Sequence, residues 1–589
     1  MPRGATESRM LKRIFRWFVR TMIVIAVLFV IVLTSDYIAH RVPADSVLVV
    51  TLSGPVAERG SNGVLGLLNV NETPLNFVRR AIDRGARDPR IIGLGIKVID
   101  PEMELAQAQE IAAEVRKFRK SGKWTAAYIE TAGDGDPGNM PYLVAAAADN
   151  VSLMPRGELN LIGVGLREFF GRGTLDWLGI KPNIGAIGEY KTAFNVFTNK
   201  DFTEAQHRDD DALVGDLFDQ IVGQIADERH LDAATVKTLV DQAPINAAKS
   251  LKAKLVDKLA YEDEFTEKLK SSGGGHHKLV NYDDYTRARL LDGFRGGDKI
   301  AVIYGSGAIE HGEGGFDPLL SPDSNSMGSD EIVDALKDAR EDDDVRAVVF
   351  RVDSPGGSTL ASELIRRQVE LTAKKKPLVV SMSGYAASGG YWISVPAKAI
   401  VAEAGTITGS IGVLGGKFNI APATQKVYLN SGSVTRGANY EMFDSFTDFT
   451  PAQQRIFEEQ ILGDDYAYFL KVVAADRRMT IAKVNEVAQG RVWTGLRAKE
   501  LRLIDAVGTF DDALAKAKEF AGMPAGAEAR IVELPEQPGF VESLLAGRVT
   551  AAFSPSPARA LAPVVRMFRS MLAGYSRFRA AYCPVVPVT

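Results

Sequence analysis

Short runs of Val, Ile and Leu alternate along most of the chain with longer stretches whose apolar positions recur at helical spacing. One series passes from an apolar run at residues 347–352 to a helical stretch at 360–374. It continues to a second apolar run at 378–382 and a Gly-rich turn into another helix. Continuous apolar runs of this length suit strands buried on both faces. Their alternation with helices predicts parallel sheets covered by helices, an α/β fold class.

A different pattern opens the chain. Arg3, Arg9, Lys12, Arg13, Arg16 and Arg20 stand against one acid, Glu7, and residues 22–33 are strictly apolar. Counted over residues 17–34, with Arg20 reaching back to the headgroups, the run is long enough for one transmembrane helix in a lipid bilayer. The basic flank predicts a cytoplasmic N-terminus, with everything after Ser35 on the far side of the inner membrane. A cleaved signal peptide shares these features, but Asp36, Tyr37 and Ile38 interrupt the small-residue cleavage pattern and favour an uncleaved anchor.

The remainder repeats itself. Ser46-Val-Leu-Val-Val-Thr-Leu-Ser-Gly54 recurs as Lys299-Ile-Ala-Val-Ile-Tyr-Gly-Ser-Gly307, and the helical segment at Ala81 recurs at Ala335. Phe202-Thr-Glu-Ala-Gln206 matches Phe449-Thr-Pro-Ala-Gln453, and Lys254-Leu-Val-Asp257 matches Arg502-Leu-Ile-Asp505. The offsets, 253, 254, 247 and 248 residues, are nearly constant and predict a tandem duplication. The expected domains are a basic tail and anchor at 1–44, a first repeat at 45–292, a second repeat at 293–535, and a tail at 536–589. Apolar positions at helical spacing over residues 564–572 predict that this tail is helical.

Composition removes several functions. The 589 residues are 46% hydrophobic and 24% charged, which excludes disorder and fibrous folds. A net charge of −4 gives no general basis for binding nucleic acid. The single cysteine, Cys583, rules out an internal disulfide, and six scattered histidines offer no metal-ligand spacing. No cofactor and no metal are expected.

Chemistry concentrates in the second repeat, in three clusters of small residues. Asp353-Ser-Pro-Gly-Gly-Ser358 falls where a strand gives way to a helix, and its glycines can turn amide N–H groups toward an oxyanion. Ser383-Gly-Tyr-Ala-Ala-Ser-Gly-Gly-Tyr-Trp392 suits close packing of a helix on a sheet, which favours Ser388 as a buried cap over Ser388 as a nucleophile. Ala404-Gly-Thr-Ile-Thr-Gly-Ser-Ile-Gly-Val413 presents Ser410 between Gly409 and Gly412, free of crowding side chains. Thr408 stands where a GxSxG elbow has its first glycine, so that motif is absent.

A serine nucleophile needs a base, and no histidine follows His311. A lysine serves if burial leaves it neutral. Gly188-Glu-Tyr-Lys-Thr-Ala-Phe194 of the first repeat aligns with Gly437-Ala-Asn-Tyr-Glu-Met-Phe443 of the second, so Lys191 stands where the second copy has Tyr440. Conversely, Gly157-Glu-Leu-Asn-Leu-Ile-Gly-Val164 has no hydroxyl at the place of Ser410. Each repeat thus retains one member of a Ser–Lys pair.

Together with Gly490-Arg-Val-Trp-Thr-Gly495, these blocks resemble the signal peptide peptidases of the long SppA type, membrane-anchored serine–lysine peptidases with a ClpP/crotonase-like β-α superhelical fold. The resemblance implies Ser410 as nucleophile and Lys191 as general base, with backbone amides of Gly356 and Gly357 at the oxyanion. It implies Ser433 or Thr435 as a group orienting the lysine. It further implies a homotetramer acting in the periplasm on signal peptides and other membrane-associated or unfolded peptides. Two rival readings are a crotonase-type acyl-CoA enzyme and a non-enzymatic membrane scaffold. Export weighs against the first, and the complementary Ser410 and Lys191 against the second.

Overall fold

The computed structural model describes residues 42–60, 72–287, 298–316, 325–524, 529–536 and 580–582. The expected membrane span at 17–34 and the helix expected at 564–572 lie outside the described residues. Among the described residues no helix is long and apolar enough to cross a membrane.

In the first half, β1 (Ser46–Ala57), β2 (Ile91–Glu102), β3 (Trp124–Ile129) and β4 (Asn150–Leu153) lie in that order, all parallel. Strand Lys278–Asn281 is added beside β1, and Lys258–Leu259 beside β4. Successive apolar side chains point to opposite faces of a strand, so a run of them needs cover on both. On one face Leu48, Val50, Leu94 and Ile96 pack against α1 (Leu75–Arg87), α2 (Leu105–Lys120) and α3 (Asn139–Ala146). On the other, Val47, Val49 and Tyr128 meet Phe265 and Leu269 of helix Glu262–Ser271. Strand β5 (Lys181–Ile187) and the long helix α4 (Glu204–Arg229) follow outside this sheet.

The second half places its strands alike. β6 (Lys299–Ser306), β7 (Val345–Ser354), β9 (Leu378–Ala387) and β10 (Ala399–Ala402) run parallel in that order. Arg530–Leu534 is added beside β6, and Ala506–Val507 beside β10. The short β8 (Gly356–Ser358) leads from β7 into helix α5 (Thr359–Lys375), and β9 leads into α6 (Gly389–Ser394). Beyond β10, β11 (Ile407–Gly409) extends the sheet from β9 and pairs antiparallel with β13 (Val492–Thr494). Phe510, Ala513 and Ala517 of α7 (Phe510–Phe520) cover the face opposite α5.

The two halves share a third sheet. In it β12 (Val413–Asn419) pairs antiparallel with β5, from Val413 opposite Ile187 to Asn419 opposite Lys181. On the other side of β12 runs β14 (Ala580–Tyr582), which in turn pairs with β8. The described part of the tail is therefore a strand. Polar contacts hold the seam elsewhere: Gly405 donates its N–H to Gln109 Oε1 at 2.7 Å, and Val492 donates to Asp209 Oδ2 at 3.1 Å.

Candidate active site

The β5–β12 pairing carries two expected site residues to one place. Lys191 follows Ile187 by four residues and Ser410 precedes Val413 by three, so both stand at the same end of the antiparallel pair. Gly490 closes the arrangement. Its N–H donates to Ile411 O at 2.8 Å, Tyr190 N–H donates to Gln489 O at 2.8 Å, and its φ is +79°. A Cβ on Gly490 would lie 2.4 Å from the Lys191 backbone nitrogen, so only glycine fits against the lysine.

Lys191 is 4% exposed, and Ser388 and Ser410 are fully buried. Its Nζ donates to Ser388 Oγ at 2.6 Å, to Ser410 O at 2.9 Å and to Ser410 Oγ at 3.0 Å. The lysine thus reaches both serines. Ser388 was expected to be a buried cap, but its side chain makes no capping bond to α6 and faces Lys191 instead.

Ser388 occupies the sharp turn from β9 into α6, with φ 55° and ψ −113°. That backbone conformation is strained for a residue with a Cβ, and such strain is characteristic of nucleophiles raised on a strand-to-helix elbow. Its N–H donates to Gly409 O at 2.8 Å, and its carbonyl accepts from Trp392 N at 2.8 Å. Ser410 also has a positive φ, 52°, but lies in a loop between two strands, its N–H donating to Arg491 O at 2.7 Å.

The segment expected to stabilise an oxyanion adjoins Ser388. A Cβ on Gly389 would lie 3.1 Å from Gly357 N and 3.2 Å from Gly356 Cα. Gly356 N–H donates to Ser354 Oγ at 3.2 Å, which leaves Gly357 the better placed of the two. Ser433 is exposed and donates to Glu441, and the Thr435 carbonyl accepts from Arg436 at 2.9 Å. The hydroxyls that hold the lysine amine are those of Ser388 and Ser410.

A buried charged network underlies both strands that deliver these groups. Arg351 of β7 donates to Glu58 at 2.7 Å, Glu110 at 2.6 Å, Ser381 at 2.9 Å and Ser383 at 3.0 Å. Burial pushes the Glu58 carboxyl up, but the Arg351 guanidinium and its hydrogen bonds hold it below the usual value. For Glu110 burial prevails, and the carboxyl is raised. Glu104 is raised well above its ordinary value by burial and then by the charges of Asp353 and Glu58. Asp353, which accepts from Tyr385 N–H at 3.0 Å, is pushed up to about 7 by burial and then by Glu58.

A raised carboxyl binds its proton more tightly in the native state. Its contribution is complete below the unfolded value of 3.8 and is lost as pH rises through about 7. Asp353→Asn keeps the acceptor for Tyr385 N–H and has no proton to lose. Its melting temperature is therefore expected to fall less than that of the wild type between pH 6 and pH 8, as checked by calorimetry.

The chain matches Peptidase family S49 over residues 117–274 and 370–523. It is 31% identical over 515 residues to "Serine protease SPPA, chloroplastic" of Arabidopsis thaliana, covering 86% of this chain and 74% of that one. It is likewise 31% identical over 508 residues to "Protease 4" of Salmonella typhi, covering 81% and 79%. Among solved structures, a mutant of the 1510-N membrane-bound stomatin-specific protease in complex with a substrate peptide aligns with 44% of this chain and all of its own, at 16% identity and a TM-score of 0.26. A serine-protease class is thus defined, and the chain belongs to Peptidase family S49.

Proposed function

We propose that this serine protease is a membrane-anchored endopeptidase in which Ser388 is the nucleophile, Lys191 the general base and Ser410 the group that positions the base. The single observation behind this reading is the 2.6 Å hydrogen bond between Lys191 Nζ and Ser388 Oγ at a strained strand-to-helix elbow. A neutral amine has two N–H groups and one lone pair. The Ser410 carbonyl can only accept, so it takes one N–H, and Ser410 Oγ takes the other. The contact with Ser388, in which the charged amine donates, then reverses, and the lone pair of the neutral amine accepts from the Ser388 hydroxyl. Exchanging the roles of the two serines would ask the lysine to deprotonate the residue whose carbonyl already binds it.

In the reaction Ser388 Oγ attacks the peptide carbonyl while Lys191 takes its proton. The resulting oxyanion is stabilised by backbone N–H groups, with Gly357 the favoured donor; one such donor contributes about 3 kcal/mol in related acyl transfers. Lys191 passes its proton to the departing amine, leaving an acyl-enzyme. Water, deprotonated by the same lysine, then releases the acid and restores Ser388.

Several finer features belong to the same reading. The equal strand order of the two sheets supports a tandem duplication of one ClpP/crotonase-like unit. Exposed Tyr428, Val434 and Phe443, with Trp177 near the same surface through Lys426, support burial between copies in a homotetramer. The basic and apolar opening of the chain supports an inner-membrane anchor with the peptidase in the periplasm, acting on signal peptides and other unfolded peptides.

A fluorophosphonate probe, followed by peptide mapping, is expected to label Ser388. Ser410→Ala is expected to keep that label and to lower kcat by about 10- to 100-fold, the effect of losing one hydrogen bond to a catalytic amine. Labelling at Ser410, with Ser388 unmodified, would reverse the assignment.

A further inference from the structure

β14 belongs to neither of the two parallel sheets, yet it fills the gap between β8 and β12. It is antiparallel to both. Ala580, Ala581 and Tyr582 stand opposite Ser358, Gly357 and Gly356, and Ala580 also stands opposite Leu414. These neighbours are walls of the site. β8 carries the segment pressed against Gly389, and β12 begins three residues after Ser410. Continued by two residues, the β12 register sets Tyr582 beside Gly412, so the segment runs toward Lys191 and the two serines.

A strand added between two strands is held through its backbone N–H and C=O groups, with modest demands on its side chains. That is the mode in which a protease holds an extended peptide whose scissile bond must lie straight beside the nucleophile. Ala580-Ala-Tyr582 is uncharged, and the walls facing it are glycine-rich: Gly356 and Gly357 on one side, Gly415 and Gly416 just along the other.

We propose that the C-terminal segment at Ala580–Tyr582 is an intramolecular occupant of the peptide groove, a substrate-like strand that incoming peptides must displace. This rests on the reading of Ser388, Lys191 and Ser410 as the peptidase centre. Because the occupant is tethered to the chain, dilution does not remove it, and peptides meet it as a fixed competitor. Competition of this kind raises KM and leaves kcat unchanged, since the displaced tail takes no part in the chemistry.

The test compares the full chain with two variants, one ending at residue 579 and one carrying Ala581→Pro. The proline has no N–H to give either neighbouring strand. Native-state hydrogen exchange is measured on all three in a Ser388→Ala background, so that no cleavage intervenes. Amides of residues 356–358 and 413–414 are expected to exchange about 10-fold or more faster in both variants than in the full chain. With Ser388 intact, KM for an unstructured apolar peptide is expected to fall about 10-fold in both variants at constant kcat. Equal exchange in the three chains, or equal KM, overturns the proposal. Absence of hydrolysis in every chain overturns the peptidase reading instead, and the exchange rates then decide occupancy of the groove on their own.

Discussion

Ser388→Ala is expected to lower kcat for an unstructured apolar peptide by about 10⁴-fold, leaving only what oxyanion donors and substrate binding supply. Lys191→Met is expected to do the same, and the double variant to be no worse than either. Residues that act as one unit lose their whole effect when any member goes. The fold is expected to survive both changes. Ser388 Oγ makes no capping bond, and methionine retains most of the buried volume of the lysine stem. The measurement is steady-state turnover beside a melting curve for each variant. A Ser388→Ala chain that hydrolyses peptide within tenfold of the wild type would remove Ser388 from the chemistry and return the nucleophile to Ser410.

The largest stability effect is expected at Arg351. Its guanidinium is 2% exposed and spans the seam between halves, meeting Glu58 and Glu110 of the first half from a strand of the second. Arg351→Met leaves a carboxylate held below its usual value with no counter-charge, at a cost of about 3–5 kcal/mol. Urea unfolding would read this as a lower midpoint. Adding Glu58→Gln and Glu110→Gln is expected to recover most of the loss, because breaking a buried pair costs far more than replacing the whole of it. Recovery would show that the arginine acts through its two carboxylates and not through packing alone.

The architecture was largely legible in the chain. Val and Ile runs marked β1, β2, β6 and β7, and the near-constant offsets anticipated that their neighbours would fall in the same order. The meeting of Lys191 with Ser410 was legible too, through a comparison of one half with the other. What the comparison could not do was choose between two serines. The helix matching α6 starts at Asn139, after Gly138, so the first half lacks a hydroxyl opposite Ser388 just as it lacks one opposite Ser410. The two helices are anchored alike, Tyr142 donating to Leu255 O and Tyr391 to Leu503 O.

The features that favour Ser388 in the proposed mechanism are local. Ser388 follows directly on a ten-residue strand and is followed by two glycines that a side chain at either place would force into β7, β8 or α5. Small residues there pack a helix on a sheet, and in the proposed mechanism they also clear the approach to a nucleophile. Ser433 and Thr435 have only the resemblance to point to them. Nothing in a sequence reveals that Ser433 is exposed while Ser410 Oγ lies 3.0 Å from the lysine amine.

The crossing of β5 with β12 has a consequence for the moment at which catalysis begins. A ribosome delivers Lys191 long before Ser388, and Gly490, which seals the lysine in place, emerges about 300 residues after it. At about 5–20 residues per second that interval lasts roughly 15–60 s. Throughout most of it the nascent polypeptide holds an amine with no alcohol to activate. With Lys191 and Ser388 in the roles proposed above, a protease divided in this way is chemically silent while it is being made, and its own half-finished chain is safe from it.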